Sequence, residues 1–289
     1  MTTLQNASIT SCHECVAMLT LPLALFLLLS ETAAGGIATV AYLRVSGGLT
    51  QGFLKFVAVT YAVLGALAFL VVWAGPPSSY RSLLSINETA ASGLLLLQGL
   101  LVVALIVHAV LIWRQSGGAP AGWVLVLSAS ILLLGTIAAA FWPLAGSLLG
   151  AAAIAVVMLL SAAVLGAATT GMLLGHWYLV TPALTNRPLL RAIVLLVVGL
   201  LIQAAVFPLT LGALDHAGSP ARALGLSPVL SILWALGAVA LPLLAAGLAF
   251  PTCRLRSFMS TTGLLYLAMI ALMPGQLLGL LLFFVVAAG

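Results

Sequence analysis

The sequence predicts an all-α fold: a polytopic transmembrane helix bundle of about eight helices, with both termini on the outer (periplasmic) side. Three observations predict it. Hydrophobic residues make up 64% and charged residues 4% of the 289-residue chain, with a mean hydropathy of +1.33. A water-facing surface needs roughly 25% charged residues, so this chain cannot cover one. Eight apolar stretches are each long enough to cross a bilayer, which takes about 20 residues. The basic residues sort to one set of connections.

The stretches lie near 17–43, 52–74, 91–113, 122–142, 146–174, 188–214, 228–250 and 258–286. Backbone in lipid must satisfy its own hydrogen bonds, so each should be helical. Barrel strands are shorter and alternate apolar with polar residues, which these runs do not. The first run is apolar apart from a polar step at Ser30-Glu31-Thr32. It is long enough to span and stay, and no basic segment precedes it, so no cleavable signal is expected. The second and third are separated by the polar gap 75–90, and the sixth and seventh by 215–226. Neither gap can bury a core of its own. The fifth and eighth runs are long and are expected to tilt or to extend past the bilayer. Pro22, Pro208, Pro242 and Pro274 fall within spans and can kink them. Residues 1–289 therefore read as one integral-membrane domain.

An even number of spans puts both termini on one side. The odd connections and their flanks then hold Arg44, Lys55, Arg114, Arg187, Arg191, Arg254 and Arg256, against Arg81 and Arg222 in the even ones. Basic residues favour the inner side, so the termini are expected outside. A net charge of +5 spread over the chain is too sparse for a nucleic-acid surface. Arg114, Arg187 and Arg191 sit at the inner interface beside Trp113 and Trp177. There they orient the protein, or meet a soluble electron-transfer partner or anionic lipid head groups.

Polar groups within spans are costly and point to function. Glu31 is the one acid expected inside the membrane. Away from water a carboxyl favours its neutral form, which can donate to a quinone oxygen or relay a proton. The plainer reading is a hydrogen bond to a neighbouring helix. His108 lies late in the third span and His176 at the end of the fifth. These spans run in the same direction, so both imidazoles should lie toward the inner side. Two histidines at similar depth suit the iron of one b-type haem, or contact with a quinone carbonyl. Gly171 and Gly175 are expected to leave room for a flat ligand beside the fifth helix. His176 also suits an interfacial anchor with Trp177 and Tyr178. His13 and His216 fall in outer segments, which disfavours a second bis-His haem. Tyr178 and Gln98 are weaker quinone or proton contacts, while Gln203 and Gln276 read as ties between helices.

Near the N-terminus, Cys12-His13-Glu14-Cys15 is a lone C-x-x-C. It lacks the histidine position of haem c attachment and the second pair of a zinc site. No G-x-S-x-G, H-E-x-x-H or P-loop occurs, so an autonomous hydrolase or transferase is not expected. A transporter would need polar clusters or broken helices along a path; no internal repeat is evident.

The segments 169–182 (TTGMLLGHWYLVTP) and 254–266 read like family signatures. In size and span number the chain resembles the eight-helix membrane anchors of bacterial respiratory oxidoreductases, of the NrfD/PsrC and DmsC types. The resemblance implies a subunit in the bacterial plasma (inner) membrane that passes electrons to or from menaquinone or ubiquinone. Its partners would be subunits carrying Fe–S clusters, haem or a metal active site, such as a hydrogenase or another dehydrogenase module. The expectation is therefore an electron-transport subunit with quinone and with or without one haem b. The alternatives are a permease component and a purely structural anchor.

Overall fold

The computed structural model describes residues 2–114, 120–181 and 185–289, with side chains from Cys15 onward. Its regular structure is helical, and eight helices are long and apolar enough to cross a membrane. In chain order the helices are α1 (Thr2–Val45), α2 (Gln51–Ala74), α3 (Glu88–Arg114), α4 (Pro120–Phe141), α5 (Leu148–Val180), α6 (Arg187–Gly212), a short α7 (Pro220–Leu226), α8 (Pro228–Arg254) and α9 (Phe258–Ala288).

Local chemistry sets the helix ends. The Thr50 hydroxyl accepts from the Phe53 N–H at 3.3 Å and caps α2, and the Ser147 hydroxyl caps α5 through the Gly150 N–H at 3.1 Å. Each satisfies a donor that the first turn leaves free. Pro188 sits in the first turn of α6, where its missing N–H costs nothing. The α1–α2 turn passes through Gly47 and Gly48 at φ 79° and 97°, values that glycine adopts without strain. α6 stops at Gly212, short of its apolar run. The chain turns there so that Leu214 bridges Ala145 and the Asp215 N–H reaches the Leu144 carbonyl at 3.2 Å.

α1, α5 and α9 pack against one another at the centre. α2, α3 and α4 follow one another along one flank, and α6 and α8 lie on the other. The outward faces of the flanking helices are apolar, as at Leu96, Val124 and Ile131. That suits a surface solvated by lipid tails.

Small residues bring the central helices into backbone contact. A side chain on Gly35 would strike the Ala162 carbonyl, and one on Gly166 would strike the Gly35 backbone. α1 and α5 therefore cross at van der Waals distance, as small-residue stripes allow in membranes. A second crossing joins Gly275 of α9 to Gly237 and Ala238 of α8. Here α8 widens into a π turn, Ala235–Ala240. Pro242 follows and cannot donate to the Ala238 carbonyl, so the ordinary ladder is broken at this point.

Candidate functional site

The site begins with two adjacent residues at the middle of the apolar span Cys15–Val45 of α1. Successive helical residues point about 100° apart, at 3.6 residues per turn. Ser30 and Glu31 therefore face different neighbours. Ser30 turns toward α3, and its hydroxyl donates to the Gln98 amide oxygen at 3.0 Å. The Gln98 amide nitrogen in turn donates to the Gly65 carbonyl of α2 at 2.9 Å. Three helices are tied by one buried side-chain amide.

Glu31 turns toward α5. It is fully buried, and the Ser161 hydroxyl donates to its Oε2 at 2.5 Å. The other carboxyl oxygen, Oε1, is buried with no hydrogen-bond partner among the described residues. The Gly35–Ala162 crossing explains the geometry. Gly35 lies one helical turn beyond Glu31, and Ala162 follows Ser161. The backbone contact sets the spacing at which a short serine side chain reaches the carboxylate. The register continues with Thr170, whose hydroxyl lies 3.4 Å from the Gly36 carbonyl and 2.6 Å from the Tyr61 hydroxyl. Contacts that advance together along both helices show that α1 and α5 run parallel.

Beyond Ser161 lies a narrow cavity with about 10 Å³ open to the centre of a water-sized sphere, near the minimum that holds one water. Gln203 of α6 and Gln276 of α9 share its lining with Ser161. The two amides exchange a reciprocal pair of hydrogen bonds, each 2.8 Å. Gln276 follows Gly275, so the backbone crossing with the π turn of α8 positions this pair. The polar groups thus run from Gly65 through Gln98 and Ser30, and from Glu31 through Ser161 to the cavity and the amide pair. A buried carboxyl with one oxygen held and one unpartnered can take or give a proton. A hydroxyl beside a water-sized space can pass it on.

The two histidines are not brought together. His108 is buried and faces α4, where its ring meets Trp123 edge-on at 4.3 Å between centroids. Among the described residues neither ring nitrogen has a hydrogen-bond partner, nor does the Trp123 indole nitrogen, and the Arg44 guanidinium lies 5.0 Å over the Trp123 ring. His176 lies exposed on the outside of α5, and α3 and α5 are not packing neighbours. The room expected beside Gly171 and Gly175 is filled. Thr262 of α9 occupies the space at Gly175, and Ala192 and Leu265 close the space at Gly171. These glycines serve helix packing rather than a flat ligand.

Tyr178 is also committed to structure. It is buried, stacks on Phe258 at 4.9 Å, and donates its hydroxyl to the Thr185 carbonyl, closing the α5–α6 connection. Trp177 ties α5 to α2 by donating to the Thr50 hydroxyl at 3.1 Å. Among the described residues no cluster of three or more His, Cys, Asp or Glu side chains could hold a metal ion. In the Cys12-His13-Glu14-Cys15 motif, the first three side chains lie outside those described, and Cys15 is exposed and free.

Ser161, Ser30 and the convergence of Gln203 with Gln276 carry no direct sign in the amino-acid pattern. One usable signal was present. Glu31 and Ser161 each stand at the head of a small-residue run, Thr32–Gly36 and Ala162–Ala163. Polar residues that precede such runs fall where two helices pack closest. Comparison with protein-family models, curated proteins and solved structures found no match.

Proposed function

We propose that the chain is the membrane-embedded, proton-handling subunit of an electron-transfer complex, with Glu31 as the proton-exchanging group. The observation that carries the reading is the Glu31 carboxyl near the middle of the apolar span Cys15–Val45, held by Ser161 on one oxygen and unpartnered among the described residues on the other. An ionisable residue kept at such depth, at a cost, marks a proton or ligand site more often than a packing role. The electron-transfer setting rests on the architectural resemblance to quinol-interacting anchors, and the electron carriers belong to partner subunits.

Neither the cavity beside Glu31 nor the histidine pair, as they stand, suits the cofactors first expected there. A quinone ring exceeds the one-water cavity beside Ser161. It would reach Glu31 only if α1 and α5 parted at the Gly35–Ala162 contact. A bis-His haem needs two imidazoles facing one iron, and His108 and His176 face different surroundings. Glu31 and Ser161 are therefore assigned to proton exchange alone.

The test is proton uptake by membranes during turnover of the intact complex. Glu31→Gln should reduce uptake at least about a hundredfold, the lower end of what a positioned proton-transfer group contributes, with the complex still assembled. Unchanged uptake in that variant would overturn the reading. A second reading, a permease component, is favoured by one observation: the π turn of α8 packs against the turn of α9 that carries Gln276. Interrupted helices at polar sites are common in transporters. Glu31-dependent solute flux without any redox partner would favour it.

A further inference from the structure

A groove on the lipid-facing side, at the end of the bundle where α1 closes, has a different character from the core. It holds about 410 Å³ and runs between the end of α1, the first half of α6 and the last turns of α8. Its polar end carries Arg191 and the half-exposed Tyr42. Its apolar end carries Val194 and Val198, and the Phe250 ring lines the groove from α8. Val194 and Val198 lie one and two turns after Arg191, so the charge sits at one end and an apolar track leads away from it. Arg191 is anchored by donating from Nη1 to the Ser46 carbonyl at 2.8 Å. Among the described residues its other N–H groups meet no acceptor.

Two more cations flank this end. Arg187 is exposed one turn before Arg191 on α6. Arg254 is exposed one turn after Phe250, with its guanidinium 6.0 Å from the Phe250 ring. Among the described side chains, the acids lie elsewhere. Glu31 is in the core, Glu88 is 3.8 Å from Arg81, and Asp215 packs at Gly146. A cationic cluster with one anchored member, beside an apolar track, matches one class of ligand: an anion joined to a hydrocarbon chain.

We infer that the Tyr42–Arg191–Phe250 groove is a binding site for one anionic phospholipid, with its phosphate on Arg191 and an acyl chain along Val194 and Val198. Basic pockets between helices at the membrane surface hold acidic head groups in this way. The inference does not depend on the role of Glu31.

The test uses the full chain, purified and delipidated, then exposed to nanodiscs of phosphatidylcholine with or without phosphatidylglycerol. Retained lipid is counted by native mass spectrometry. One phosphatidylglycerol should be retained in preference to phosphatidylcholine. Arg191→Gln should weaken retention about fivefold, the effect of one surface cation. Arg191 also ties α6 to Ser46, so a second variant separates binding from folding. Val198→Trp fills the track from an exposed position and leaves every charge in place, and it should displace the lipid from a folded protein. Equal retention of both lipids, or phosphatidylglycerol retention unchanged in Val198→Trp, would overturn the inference.

Discussion

Ser161 of α5 donates to one carboxyl oxygen of Glu31 on α1 at 2.5 Å, while the other oxygen of Glu31 is buried without a partner among the described residues. The arrangement is asymmetric, and a purely structural tie has no need of that. A glutamine or threonine would join two helices without an ionisable group. An unpartnered buried polar atom costs about 1–3 kcal/mol, and it is kept at the tightest helix crossing in the core.

That crossing is the first object of test. Gly35 admits no side chain, because the Ala162 carbonyl occupies the space. Gly35→Leu should prevent assembly of the bundle. Gly166→Ala should destabilise it by at least the upper part of the about 1–3 kcal/mol typical of overpacked cores. Thermal unfolding in detergent measures both. A Gly35→Leu protein with the melting temperature of the parent would show that α1 and α5 do not meet there.

The Gln203–Gln276 pair should behave as a coupled unit. Either single change to leucine leaves the partner amide unpaired in an apolar setting, whereas the double change removes both polar groups. The double variant should be less destabilised than the sum of the singles. The coupling should fall near the ~0.6 to 1.7 kcal/mol measured for hydrogen bonds within membranes. Strict additivity in a double-mutant cycle would mean that the two amides do not meet.

The separation of His108 from His176 has a spectroscopic consequence. A reduced-minus-oxidised spectrum of the purified chain should contain no haem band that depends on both residues. A band abolished by His108→Ala and equally by His176→Ala would restore the pair as axial ligands.

Tyr80, in the connection between α2 and α3, gives a pH dependence outside the membrane. Burial pushes its phenol above the usual tyrosine range, and a hydrogen bond with the Leu23 backbone offsets part of that. The folded state therefore favours the protonated phenol. Its contribution is fully present below the ordinary value of about 10 and is lost as pH rises through the higher folded value. The parent should lose more stability than Tyr80→Phe between neutral pH and strongly alkaline pH. Parallel pH curves for the two proteins would contradict this.

The eight spans were legible because lipid imposes a length and a composition on any segment that crosses it. The ends were less so. α5 continues through Trp177 and Tyr178 to Val180 rather than stopping near 174, since these residues pack on α2 and α9 instead of facing an interface alone. The π turn at Ala235–Ala240 has no periodic signal in an all-apolar run. Glu31 stood out as a lone acid, but Ser161 did not, because a serine among alanines reads as ordinary packing. The flat-ligand space at Gly171 and Gly175 failed for a related reason. A glycine shows where close approach is allowed and does not say whether a helix or a ligand makes it; here Thr262 does.

The central claim is that Glu31 exchanges a proton while held by Ser161. Infrared difference spectroscopy of the carboxyl C=O stretch, recorded on the purified protein across a pH titration and after transfer to heavy water, tests it most directly. The account predicts a single buried-carboxyl band that is absent in Glu31→Gln, shifted in Ser161→Ala, and responsive to pH and to deuterium. A Glu31 band that is indifferent to both pH and deuterium would make the residue a fixed structural group and contradict the account.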